Sequence, residues 1–260
     1  MKPIEIFYHL FVPFNEKGLV WNIYFDDQIR LIKSSKLHEI AKFNLVLTAH
    51  LDKQEVNGWP ITRNGTGDFI SWGEKIQEYI TMRYPWINII EVRDICQLPD
   101  IYEGATLNHL WEKARARPDA NYLYFHPKAI SHNVSAPSRD NWREILDHFH
   151  ITEWTKCITE LDQADVIGVA DAGTRPHNQV VSGNYFWARG DYLSSLPRPT
   201  DSQHYVPEPH LWPTGPSYRY AFERWILSGN PRICWIADTK TEHYGNYLFL
   251  ESFLANNPAV

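Results

Sequence analysis

The sequence predicts an α/β protein with a mainly parallel sheet covered by helices on both faces, and three observations carry that prediction. Short apolar runs of strand length alternate with segments whose apolar residues recur at helical spacing. Those short runs have the character of buried strands, as a parallel sheet packed on both faces requires. A composition of 43% apolar and 22% charged residues over 260 positions supplies one large core, which excludes disorder, collagen and coiled coil.

Ile4 to Val12 is an apolar, aromatic-rich run ended by Pro13, the length of a buried strand. After a polar turn, Asp26 or Asp27 is placed to cap a helix carrying Ile29, Ile32, Leu37 and Ile40. Phe43 to Ala49 reads as a second strand. Ser71-Trp72-Gly73-Glu74 is a capping box, and Trp72, Ile76, Tyr79, Ile80 and Arg83 follow at helical spacing until Pro85. Ile87 to Val92 gives a third strand. Thr106 opens a helix with Leu107, Leu110, Trp111 and Ala114 on one face, ended by Pro118, and Asn121 to His126 is a fourth strand.

Beyond residue 138 the pattern changes. Trp142, Ile145, Leu146 and Phe149 make one helix, and Thr152 caps another carrying Trp154, Cys157, Ile158 and Leu161. Asp165 to Ala170 and the aromatic Asn184 to Arg189 are strands; a Pro-rich loop runs from Pro197 to Pro216; Tyr218 to Leu227 is helical; Arg232 to Ile236 is the last strand. No repeat, Gly/Ser linker or low-complexity tract divides the chain, so a single domain over 1–260 is expected, with a nucleotide-binding half over 1–135 and a more irregular half over 136–260.

The charge balance of 25 Lys+Arg against 31 Asp+Glu, net −6, contains no basic block and argues against nucleic acid as a partner. Cys96, Cys157 and Cys234 are widely spaced among apolar residues, as buried thiols in a reducing compartment are. The start lacks a basic region followed by a cleavage site, and no run reaches the ~18 apolar residues of a membrane span. An intracellular protein without a transmembrane segment is expected, with the sequons at Asn64 and Asn133 as chance matches. The 14% of aromatic residues suits sugar rings and ordinary cores alike.

In open α/β sheets ligands bind beyond the carboxyl ends of the strands, where strand order reverses. That rule selects Phe11, Val12 and Pro13 after the first strand, Arg93 and Asp94 at the third, and His126-Pro127-Lys128-Ala129-Ile130-Ser131-His132-Asn133 after the fourth. Histidines, a lysine and a serine at a strand end suit a phosphate; the alternative is that His126 and His132 satisfy turn hydrogen bonds while Lys128 is a solvated charge. Neither G-x-x-x-x-G-K-[ST] nor G-x-G-x-x-G occurs, which disfavours P-loop and dinucleotide-binding proteins. Asp26-Asp27 fits a helix cap better than a metal site, His148-Phe149-His150 lacks the spacing of a helical zinc pair, and neither H-E-x-x-H nor G-x-S-x-G is found. Two carboxylates remain as general-base candidates: Asp171, at a strand end, and Glu223, set among Tyr220, Phe222 and Trp225, where desolvation raises a carboxyl pKa. Glu223 is equally placed to pair with Arg219 one turn earlier.

Tyr102-Glu103-Gly104-Ala105-Thr106-Leu107, the following helix and Tyr122-Leu123-Tyr124-Phe125-His126-Pro127-Lys128-Ala129-Ile130-Ser131-His132 resemble a bacterial and large-virus group of GT-A glycosyltransferases, whose segment reads approximately E-x-x-T-L, helix, Y-x-Y-x-H-T-K-G-x-S-H. Further matches in order are Tyr8-His9-Leu10, Asn141-Trp142-Arg143-Glu144, Val166-Ile167-Gly168-Val169, Ser182-Gly183-Asn184-Tyr185-Phe186-Trp187-Ala188 and Phe222-Glu223-Arg224-Trp225-Ile226. Rhamnan-synthesis glycosyltransferases are similar more distantly. Pro127 and Ala129 depart from the group's Thr and Gly. The resemblance implies a GT-A fold and transfer of a sugar from a nucleotide-sugar donor to a glycan or glycolipid acceptor, in cytosolic polysaccharide or viral-glycan synthesis. It implies donor binding by Phe11, Val12, Pro13, Arg93, Asp94, Glu103, Thr106, His126, Lys128, Ser131 and His132, an acceptor side shaped by Ser182, Gly183, Asn184, Tyr185 and Trp187, and Glu223 or Asp171 as base. Many GT-A enzymes hold a divalent cation with Asp-x-Asp where this chain has His126-Pro127-Lys128, so no required cofactor is expected, with Mn²⁺ or Mg²⁺ left open. The alternatives are a non-catalytic carbohydrate-binding protein on a degenerate transferase scaffold and a sugar nucleotidyltransferase.

Overall fold

The structure is a computed structural model and describes residues 1–12, 21–50, 72–95, 103–127, 137–170, 181–201 and 222–238. Seven strands form one sheet: β1 (Ile4–Val12), β2 (Ala41–His50), β3 (Asn88–Ile95), β4 (Asn121–Phe125), β5 (Val166–Ala170), β6 (Phe186–Arg189) and β7 (Ile233–Asp238). Their order is β3-β2-β1-β4-β6-β5-β7. All neighbouring pairs are parallel except those of β6, which runs against both β4 and β5. The expected mainly parallel α/β architecture is therefore present, and strand order reverses between β1 and β4.

Connections of parallel strands are right-handed, so the reversal of strand order puts α3, between β3 and β4, on the face opposite α1 and α2. On one face α1 (Trp21–Ser34), α2 (Trp72–Arg83), α4 (Pro137–Asp147) and α5 (Trp154–Glu160) flank the sheet, and α1 packs Phe25, Ile29 and Ile32 against Tyr8, Leu10 and Phe43. On the other face, α3 (Gly104–Ala116) and α6 (Gly190–Ser195) bring Leu107, Leu110 and Leu193 against Phe7, Tyr122 and Phe186. Each strand of β1 and β4 thus sends alternate side chains into two separate cores, the consequence of its two-residue period.

Several local expectations are corrected. Helix α1 starts at Trp21, so Asp26 and Asp27 lie inside it and cap nothing. Trp21 and Phe25, four residues apart, extend the apolar stripe backwards. Asp26 instead accepts the hydroxyls of Tyr79 (2.7 Å) and Tyr84 (2.8 Å), which docks α2 on α1. Helix α3 opens at Gly104, placing Thr106 in its first turn. After α4 the chain widens into a π-helical turn, His148–Thr152, and His150 is fully buried there with Nδ1 on the Leu146 carbonyl at 2.9 Å. The short α6 follows β6 at Gly190, where a Cβ would meet the carbonyl oxygens of Ala120, Arg117 and Pro118 at 2.8–2.9 Å.

Cys157 is buried and Cys234 half-buried, both as free thiols; Cys96, Ser71 and most of the Pro-rich loop lie outside the described residues. No helix among the described residues is long and apolar enough to cross a membrane.

Candidate functional site

The reversed strand β6 builds the site. Because Tyr124 pairs with Phe186, the residues that enter β6 arrive at the carboxyl end of β4, beside the strand-order reversal. There the chain makes a tight 3-10 turn over Ser182–Asn184, with Gly183 at φ 64° and Asn184 at φ 56°, both left-handed. Helix α3, which returns from β3 towards β4, presents its N-terminus at the same edge. Glu103 precedes its first turn, and no side chain caps it.

Four elements meet here through hydrogen bonds. His126, just past β4, lies with Nε2 2.9 Å from the Gly183 carbonyl and 3.4 Å from Glu103 Oε1. A carbonyl only accepts, so Nε2 carries the proton. Asn184 donates its side-chain amide to Glu103 Oε2. In β1, His9 Nδ1 is 2.9 Å from the Thr106 hydroxyl. Burial drives the His9 pKa down to about 4; Glu103 opposes this, whereas His126 and Arg93 add to it. His9 is therefore a neutral hydrogen-bonding group at pH 7. The buried Tyr124 hydroxyl is pushed far up by burial and further by Glu103 and Glu223, which places both carboxylates in its surroundings.

The turn Ser182–Tyr185 braces His126 and Glu103. Ser182 Oγ accepts the Trp142 indole from α4 at 2.8 Å, Gly183 accepts from His126, Asn184 holds Glu103, and the Tyr185 hydroxyl donates to the His126 carbonyl. Ser182, Asn184 and Tyr185 are buried. Trp187, in β6, is fully buried in the core with its indole on the His150 carbonyl at 2.9 Å. Of the residues expected on the acceptor side, Ser182, Asn184, Tyr185 and Trp187 are thus buried and Gly183 is half-buried. The buried ones fill and tie the interior where the chain enters an antiparallel strand. Val12 is a core residue, fully buried against the α1 face.

Glu103, Thr106 and His126 are brought together as the sequence suggested. Phe11 is half-buried at the end of β1. Arg93 and Asp94 sit in β3, the outer strand; Arg93 pairs with Glu91, which also meets His109 Nε2 at 2.8 Å. Glu223 is half-buried in a helical turn over 222–225 on the α3 face. Pro13, Lys128, Ser131, His132 and Asp171 lie outside the described residues, as does Arg219.

Sequence reasoning missed Gln28 and Asp147 as polar groups beneath the site, both buried. A signal existed for Gln28: it stands at a core position of α1 between Phe25 and Ile32, where an apolar residue is the rule. Among the described residues no group of three or more His, Cys, Asp or Glu is arranged to hold a metal ion.

A protein family whose description is "Domain of unknown function (DUF8361)" matches residues 7–233. No curated protein and no solved structure matches the chain.

Proposed function

From the premise that the chain belongs to the DUF8361 family, which spans most of its length, we propose that it is a nucleotide-sugar-dependent glycosyltransferase. One observation carries the reading: at the reversal of strand order, the N-terminus of α3, His126 and the 182–185 turn converge on one point at the carboxyl end of the sheet. Helix N-termini favour anions, and a diphosphate is the anionic part of a sugar nucleotide. The interposed antiparallel β6 distinguishes the sheet from the all-parallel dinucleotide-binding order. Two further supports are the ordered motif resemblance along the chain and His126-Pro127-Lys128 in place of an acidic pair.

In this reading the acceptor hydroxyl attacks the anomeric carbon, the bond from that carbon to the diphosphate oxygen breaks, and the leaving diphosphate keeps the electron pair. Lys128 and the His126 ring stabilise the charge that develops on the leaving group. Glu223 takes the acceptor proton in a direct, inverting displacement, with Asp171 as the other candidate base. A GT-A enzyme acting in cytosolic glycan synthesis, on a glycan or glycolipid acceptor, fits this assignment.

Glu103 favours a second reading, a non-catalytic carbohydrate-binding protein, because its carboxylate stands where a phosphate would approach and is also a good acceptor for sugar hydroxyls. The deciding experiment is a nucleotide-sugar panel with purified protein, scored by thermal shift and by release of nucleoside diphosphate. Stabilisation by a sugar nucleotide with diphosphate release on adding glycan supports transfer. Binding of free glycans with no response to any nucleotide sugar overturns it.

A further inference from the structure

Beneath the site, on the face of α1 and α4, four buried polar side chains form one continuous run of hydrogen bonds. The Tyr8 hydroxyl donates to Gln28 Oε1 (2.7 Å); the Gln28 amide donates to Asp147 Oδ1 (2.8 Å) and to the Tyr185 oxygen (2.9 Å); Tyr185 donates onward to the His126 carbonyl. Arg143 reaches Asp147 Oδ2 at 3.3 Å. The carboxylate sets the direction of the whole run. An ionised Asp147 only accepts, so Gln28 must turn its NH₂ group towards it. That NH₂ also fills a lone pair of Tyr185, and the Tyr185 proton is left for His126.

We infer that Asp147 is a positioning residue for His126: acting through Gln28 and Tyr185, its carboxylate holds the His126 backbone where the ring meets Gly183 and Glu103, and protonation of Asp147 releases that hold. A protonated Asp147 donates to Gln28, the amide turns its oxygen towards Asp147 and Tyr185 and its NH₂ towards Tyr8, whose oxygen becomes the acceptor, and the Tyr185 proton moves from the His126 carbonyl to the Gln28 oxygen. The groups around Asp147 are Arg143, Glu144 and His148 of its own helix and turn, Asp27 and Arg30 of α1, Tyr8 of β1, and Tyr185. Burial raises its pKa to about 7, against the pull of Arg143 and Gln28 and with a small push from Asp27, so the switch falls within the physiological range. A groove of about 230 Å³ lined by Asp27, Arg30, Arg143, Asp147 and His148 supplies the route for proton exchange with water.

Only the catalytic consequence of this release rests on the transferase reading; the release itself is observable without substrate. His126-Pro127 is the one His-Pro pair in the sequence, so ¹³C-carbonyl histidine with ¹⁵N-proline labelling isolates a single NMR carbonyl resonance at His126. In the wild type that resonance shifts with pH at the midpoint of the Asp147 carboxyl resonance. The shift disappears in Asp147→Asn, which keeps the shape and cannot ionise, and in Tyr185→Phe the resonance stays at its low-pH position throughout. A titration that persists in Asp147→Asn belongs to the His126 ring and overturns the inference, as does a midpoint different from that of Asp147. If these shifts appear while no nucleotide sugar is turned over, the transferase reading fails and the positioning role stands.

Discussion

Asn184, in left-handed backbone at φ 56°, donates its side-chain amide to Glu103, 81 residues earlier in the chain. This single contact joins the turn that enters β6 to the start of α3. Asparagine suits both demands, because it tolerates left-handed backbone better than other side chains do and carries an amide of the right reach.

The preceding Gly183, at φ 64°, gives a direct test of the brace. Gly183→Ala places a Cβ in left-handed backbone, a cost of about 1–2 kcal/mol. The expected result is a lower thermal midpoint together with weaker binding of whichever nucleotide sugar the panel identifies, because the Gly183 carbonyl holds His126. Unchanged donor affinity in a destabilised variant would show that the turn supports the fold and not the site.

Glu223→Gln preserves size and most hydrogen bonding while removing basicity. As general base, Glu223 predicts a fall in kcat of roughly 10²–10⁴ with donor affinity nearly unchanged. If it only pairs with a neighbouring arginine, stability drops by about 0.3–0.5 kcal/mol and the rate stays. Normal turnover in Glu223→Gln with an inactive Asp171→Asn moves the assignment to Asp171.

If the proposed transferase reading holds, turnover persists in excess EDTA, since His126 and Lys128 stand where the GT-A enzymes the sequence resembles carry their acidic metal ligands. A loss of more than about tenfold, equal to about 1.4 kcal/mol in the barrier and restored by Mn²⁺ or Mg²⁺, would refute this. Lys128→Ala should weaken donor binding and turnover without lowering the unfolding midpoint.

Stability against urea should decline as the medium is acidified. His9 and His150 are both held near pKa 4 by burial, below the ordinary 6.5, so the unfolded chain gains two protons that the native state refuses as pH falls from 6.5 towards 4. Asp147 works the other way: its native pKa of about 7 exceeds the ordinary 3.8, so it favours the native state as pH falls through the same window. Among these three groups the net difference is one proton, or about 1.4 kcal/mol per pH unit, and His148, also lowered by burial, adds to the histidine side. Asp147→Asn should roughly double that slope, and an unchanged slope would contradict the burial of a titrating Asp147.

The sheet was legible because its strands are short apolar runs at regular spacing; the carboxyl-end rule singled out His126, while Glu103 and Thr106 came from the motif resemblance alone. The role of residues 182–187 was not legible. An aromatic strand preceded by Ser-Gly-Asn has the same composition whether its rings face a sugar or fill a core, and their burial becomes visible only with β6 in place between β4 and β5. The extent of α1 was misjudged for a similar reason: paired aspartates signal a cap locally, but Tyr79 and Tyr84, far along the chain, give Asp26 a place inside a helix.

The position of β6 also sets an order of assembly. Strands β1 to β4 and helices α1 to α3 are complete once residue 125 has been synthesised, and they can pair without later chain. β5 reaches that part of the sheet only across β6, so it must wait for a strand that follows it in sequence. Long-range pairings of this kind form late, because loop closure precedes the contacts that offset it. A nascent chain therefore carries His126 and Glu103 before the turn that fixes them exists, and the two are tied to it only when residues 182–189 have emerged and docked.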